Sequence, residues 1–163
     1  MKQFVNHCRG IVENILVIAY GNPLRCDDGI AWHAAEELKR VLPSSAQVIC
    51  VHQLTPELAE SASRAELVIF LDAATNGKPG DVVCQPLKAE KGEPRFSHHH
   101  TPQGILAVCE QLYSANPRCF LLTLHGKRFE HGDVFSPAAV HAVARAVELV
   151  TNLCSPRANR AYG

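Results

Sequence analysis

The sequence lacks most of the features that assign a protein at a glance. It has no charge excess, since sixteen Lys and Arg balance sixteen Asp and Glu for a formal net charge of +0. That balance removes the general attraction to polyanions on which non-specific nucleic-acid binding depends. It has no long apolar run. The longest clean one, Ile15 to Tyr20, is far short of the ~20 residues a membrane-spanning helix needs. The charged, mixed stretch Met1 to Glu13 contains no apolar core of a signal peptide. These absences lead to the expectation of a cytoplasmic protein with neither a nucleic-acid nor a membrane partner.

Also absent is any CxxC pair. The seven cysteines are odd in number, and without an export signal nothing points to an oxidising compartment, so a disulfide scaffold is not expected. Cys50, Cys84 and Cys119 fall in apolar, strand-like runs, where a thiol behaves as a small hydrophobe. Cys26 stands beside Asp27 and Asp28, and neighbouring carboxylates oppose thiolate formation. No GxGxxG and no GxxxxGK followed by Ser or Thr occurs, so dinucleotide and P-loop readings lack their phosphate cradle. GxSxG and HExxH are missing too, which removes the ordinary serine-hydrolase and zincin assignments.

What is present is an alternation of strand and helix patterns. At 163 residues, 47% hydrophobic and 20% charged, the chain fits one soluble domain, since a single core serves ~100–200 residues. Its core is expected over about residues 14–153, with a polar tail over 155–163. Ile15–Tyr20, Gln47–Val51, Leu67–Leu71 and Cys119–Leu124 read as strands buried on both faces. A shorter strand is expected near Val82–Gln85. Ile30–Leu42 has apolar residues at helical spacing. Thr55-Pro56, Thr101-Pro102 and Ser136-Pro137 are N-cap-plus-proline starts of helices to about Ser63, Tyr113 and Leu153. The alternation predicts a three-layer α/β/α sandwich around a twisted, mainly parallel sheet of about five strands.

In such sheets ligands bind beyond the carboxyl ends of the strands. Asp27 and Asp28 follow the first strand, Asp72 ends the third, and His98, His99 and His100 precede the helix at Pro102. Two carboxylate positions and an imidazole position on one rim match a divalent transition-metal site for zinc, nickel, iron or manganese. Each residue has a plainer role open to it. Asp28 would suit the cap of the helix that follows, Asp27 a cap or a loop hydrogen bond, Asp72 a turn, and the histidines a solvated loop. His7, His33, His125, His131 and His141 read as packing or solvent-facing, as does His52, although it too follows a strand.

Five segments together resemble the hydrogenase maturation proteases. They are ILVIAYGNPLRCDDG from Ile15, HQLTPELAE from His52, LVIFLDA from Leu67, Ser97-His98 with Pro102 and its helix, and GKRFEHGDVFSP from Gly126. They span about 120 residues in the family's order. The resemblance implies an endopeptidase that trims the C-terminal extension of a nickel–iron hydrogenase large-subunit precursor after nickel insertion. It also implies a metal site of Asp28, Asp72 and His98, with Asp28 and Asp72 as general-base candidates and nickel carried in by the substrate. His98 keeps the spacing to Pro102, and His100 is the next choice. Two departures stand out: Ala31 replaces a glycine frequent in the family, and Asp28 is one methylene shorter than the glutamate some members carry. Two other readings remain open. One is a non-catalytic, metal-dependent chaperone or checkpoint that binds the loaded precursor. The other is an α/β domain binding an anion at the helix that starts near Gly29, which the acidic Asp27-Asp28 pair disfavours.

Overall fold

The computed structural model describes residues 14–89, 101–132 and 134–155. Five strands, β1 (Ile15–Tyr20), β2 (Gln47–Val51), β3 (Leu67–Ala74), β4 (Val82–Leu87) and β5 (Arg118–His125), form one sheet in the order β2-β1-β3-β5-β4. All neighbours pair in parallel except β4, an antiparallel edge strand on β5. Four α-helices, α1 (Ile30–Val41), α2 (Leu58–Ser63), α3 (Pro102–Tyr113) and α4 (Pro137–Cys154), cover the two faces. The architecture is the three-layer α/β/α sandwich expected, with a mainly parallel sheet.

Alternation along the strands divides the core in two. Ile15, Val17 and Ala19 of β1 and Leu67, Ile69 and Leu71 of β3 pack under α1 and α4, together with Phe120, Leu122 and Leu124 of β5. Leu16, Ile18, Val68 and Phe70 point the other way, toward Ala59, Ala62, Ile105 and Cys109 of α2 and α3. Because side chains alternate with period two, Tyr20, Asp72, Thr123 and His125 all fall on the α2/α3 side. A strand buried on both faces has no polar side, which is why these runs read as continuous apolar stretches.

Two boundaries and the burial of one cysteine differ from expectation. The third strand runs past Asp72 to Ala74, because β5 pairs with its last residues through Thr123–His125, whereas its pairing with β1 stops at Leu71 opposite Ala19. Asp72 is thus held on one side and open on the other. The helix expected from Thr55-Pro56 starts at Leu58. The preceding residues bond at three-residue spacing, Leu58 N to Thr55 O and Ala59 N to Pro56 O, a tighter turn that keeps them out of the α-helix. Cys84, read as a strand hydrophobe, is exposed on the edge strand.

The other two proline starts behave as predicted. Ser136 caps α4 by accepting from Ala139 N, and Thr101 caps α3 by accepting from Gly104 N at 3.0 Å. Residues 114–117 link the last turn of α3 to the start of β5. Twelve residues at ~1.5 Å rise then bring the N-terminus of α3 back toward the carboxyl edge of the sheet. Removing this cap with Thr101→Ala should destabilise the fold by about 1 kcal/mol. In urea the midpoint should fall with the slope unchanged.

Candidate active site

The crossover from β1 to β2 runs through α1 on one face, and that from β2 to β3 passes back over β1 on the other. The crevice between the carboxyl ends of β1 and β3 is therefore the topological switch point, the place where open α/β sheets bind ligands. Asp28 and Asp72 are the two acidic residues placed there.

The loop after β1 starts at Gly21, whose φ of +134° and close approach to the Asp28 carbonyl (2.8 Å from the position of a β-carbon) admit no side chain. The chain then forms a 3-10 turn over Cys26–Gly29 and enters α1. Asp28 does not cap α1; no side chain caps that helix. Its Oδ2 instead accepts from Asn22 N at 3.1 Å, closing the loop on itself, and its carboxylate stays half-buried at the crevice. Ala31, in the position of the family's frequent glycine, is wholly buried in the first turn of α1. Cys26 is also buried, with its backbone in the left-handed region (φ 38°), which suits a packing role for its thiol.

Asp72 enters from β3. The Tyr20 hydroxyl, at the end of β1, donates to Asp72 Oδ2 at 3.0 Å. Burial pushes the Asp72 carboxyl above its ordinary range, and the nearby Asp28 charge adds to the rise, while hydrogen bonds from Tyr20 and from the Ala73 amide oppose it. Burial, with the Asp72 charge, drives the Tyr20 phenol far upward, so it remains a donor at any physiological pH. The carboxylates thus interact unfavourably, and a cation between them would remove that penalty.

Asp27, next to Asp28, has a different task. It is 0% exposed and serves as a hydrogen-bond hub between segments 100 residues apart. Oδ2 accepts from Lys127 N (2.7 Å), Arg128 N (2.9 Å) and the Ser136 hydroxyl (2.6 Å), and Oδ1 accepts from Ser136 N (2.9 Å). Its own amide donates to Arg128 O at 2.8 Å. Burial alone would raise its pKa. The bonds from Ser136, Lys127 and Arg128 outweigh that and hold the carboxyl below its ordinary value. Gly126 is required beside it, since a β-carbon there would lie 2.6 Å from Asp27 Cβ. Asp27 is the loop hydrogen-bonder of the acidic pair, and Asp28 its half-buried partner.

The remaining histidines divide by exposure. His33, His52, His131 and His141 are exposed, with His52 against Trp32 and His33 against Phe135. His125 is buried at the end of β5 under Gly77, and its Nδ1 has no hydrogen-bond partner among the described residues. His7, His98, His99 and His100 lie outside the described residues. Among the described residues no group of three or more His, Cys, Asp and Glu is placed to hold a metal. The described part of the site is thus a pair of carboxylates, with the proposed imidazole beyond it. A cavity of about 580 Å³ opens elsewhere, at the start of β5 around Leu87, Glu110, Arg118 and Phe120. It lies at the opposite end of the sheet from the carboxylates. No disulfide forms among the described cysteines, and burial raises the Cys109 and Cys119 thiols to about 11 and about 12, away from reactive chemistry.

Comparison with family models gives no match, and comparison with curated proteins gives none either. Solved structures do match. The hydrogenase maturating endopeptidase HybD from E. coli aligns with a TM-score of 0.69 at 20% identity, over 86% of this chain and 91% of that one. The NiFe hydrogenase maturation protease HycI from Thermococcus kodakarensis gives 0.68 at 18%, over 88% and 93%. HybD from the same archaeon gives 0.64 at 24%, over 87% and 99%. The protein therefore has the fold of the hydrogenase maturation proteases along nearly the whole of their length.

Two outcomes follow from the electrostatics. Asp27→Asn would turn an amide NH2 toward donors, and loss of charged hydrogen bonds worth ~1.5–3 kcal/mol should lower stability by about 3 kcal/mol in denaturant unfolding. Because the folded pKa of Asp27 is depressed, its contribution is complete above the unfolded value of ~3.9 and disappears as pH falls through the lower folded value. The stability difference between wild type and Asp27→Asn should therefore shrink below about pH 4. Asp72 has the opposite sign. Its folded pKa is raised, so its ionisation at neutral pH opposes folding, and Asp72→Asn should keep or raise the thermal midpoint at pH 7.

Proposed function

We propose that the protein is an endopeptidase that removes the C-terminal extension of a nickel–iron hydrogenase large-subunit precursor after nickel insertion. The observation that carries this reading is the Asp28–Asp72 pair at the β1/β3 switch point, in the fold of proteins named as hydrogenase maturation proteases. The five sequence segments that resemble that family support it further.

In this reading Asp28, Asp72 and His98 complete the coordination of the nickel that the precursor already carries. The donor set suits such an ion. Two carboxylates and an imidazole are ordinary ligands for nickel, and a cation between Asp28 and Asp72 would relieve their repulsion. Three protein ligands leave positions for groups of the precursor. The resting site is weak alone, because its full ligand count exists only in the complex. Asp28 and Asp72 are also the general-base candidates for the attacking water. The tightly tied loop between Gly21 and Gly29 keeps one of them in place while the substrate supplies the rest. Specificity then rests on the loaded metal more than on a side-chain pocket, and the action is cytoplasmic. Among the described residues no helix is long and apolar enough to cross a membrane.

The test incubates the purified protein with a nickel-loaded large-subunit precursor and with the nickel-free precursor, and reads intact mass. Loss of a C-terminal peptide from the loaded sample alone is the expected result. Asp28→Asn and Asp72→Asn, each with unchanged circular dichroism, should lower product formation by more than about a hundredfold, the usual scale for losing a positioned base. Stable binding of the loaded precursor with no change in mass would replace the protease with a checkpoint chaperone. Cleavage that ignores nickel would keep the enzyme and remove metal recognition from Asp28, Asp72 and His98.

A further inference from the structure

Asp72, like Asp28, is half-buried. β5 holds it on one side, and beyond the last β1 pair nothing in the sheet holds it on the other. A carboxylate on a strand has two side-chain torsions to be fixed. Besides the Ala73 amide of its own strand, one side chain fixes them. The Tyr20 hydroxyl reaches across from the last residue of β1 to Asp72 Oδ2 at 3.0 Å. The Tyr20 ring is half-buried and packs against the α2/α3 half of the core, so the donor is oriented by the packing of the ring as well as by the bond it makes. Tyr20 ends an otherwise wholly apolar strand, ILVIA.

We infer that Tyr20 is the positioning residue of the site: its hydroxyl takes Oδ2 of Asp72 and thereby sets where the second oxygen lies. This rests on the proposed role of Asp72 in holding the precursor's metal. Tyr20 touches neither substrate nor reacting atoms and acts through Asp72. A phenol suits the task because it is a neutral donor that does not compete with an incoming cation for the carboxylate, as a lysine or arginine would. Fixing one oxygen leaves the remaining lone pairs for the ligand in one geometry, and misplacement of a catalytic group by ~1 Å can cost ~100-fold in rate.

The variant is Tyr20→Phe, which keeps the packed ring and removes only the donor. Two readouts are taken. Crystal structures of both proteins report the Asp72 side chain, and processing of the nickel-loaded precursor reports kcat and KM. The expected result is an Asp72 carboxylate that rotates or spreads over several positions, with a kcat lowered about tenfold or more, KM little changed and the thermal midpoint close to wild type. An Asp72 side chain that keeps its position in Tyr20→Phe overturns the inference, as does unchanged kcat with the carboxylate displaced. A wild-type protein that cuts no precursor, with Asp72 displaced in the variant, sinks the protease reading and leaves the positioning role of Tyr20 standing.

Discussion

The buried carboxylate of Asp27 ties the site loop to the rest of the molecule. Two of its three donor residues, Lys127 and Arg128, lie just past β5, and the third, Ser136, caps α4. The loop after β1 would otherwise be a short, solvent-facing connection with a strained cysteine at its centre. Four hydrogen bonds into an ionised, dehydrated group pull it against the segment between β5 and α4, at the opposite end of the sequence. Such a charge is tolerated only because both of its oxygens accept hydrogen bonds. The same requirement explains the glycine at 126, where the approach to Asp27 leaves no room for a β-carbon.

That anchoring separates the roles of two adjacent acids. Asp27 spends its charge inward, and its pKa falls. Asp28, one residue on, is held by a single amide from Asn22 and faces the crevice opposite Asp72. A pair of carboxylates with one raised pKa is an unfavourable arrangement in an empty site and a favourable one around a divalent ion. The switch-point crevice brings them together because β1 ends one residue past its last pair with β3 while β3 continues along β5. The unequal strand lengths create the opening, and Tyr20 bridges it.

Much of the scaffold was legible in the sequence because its signals are local. Strands buried on both faces leave continuous apolar runs, so β1 and β2 were bounded to the residue. Thr101-Pro102 and Ser136-Pro137 announce two helices through cap chemistry that depends on three or four neighbouring residues. The errors also had local causes with distant resolutions. Thr55-Pro56 has the same signature, yet it forms a tight turn before α2. The end of β3 was misplaced because Asp72 looks like a strand terminator until β5 is known to pair beyond it.

For the site, the sequence alone supplied the inventory: acids after the first and third apolar runs, histidines before Pro102, and no phosphate cradle or hydrolase elbow. The resemblance already pointed to Asp28 rather than Asp27, and the fold supplied the physical reason for that division. Both are aspartates in the same turn, and only the arrival of Lys127, Arg128 and Ser136 beside that turn decides which is dehydrated and which is half-open. Tyr20 was missed for a related reason. A tyrosine at the end of an apolar strand reads as core, and its hydroxyl gains meaning only when parallel pairing sets β1 beside β3. Patterns of burial and capping are written in neighbouring residues, so the chain declares them directly. Hydrogen-bond partners fifty or a hundred positions apart are set by how the strands are ordered in the sheet, and no local pattern encodes that order.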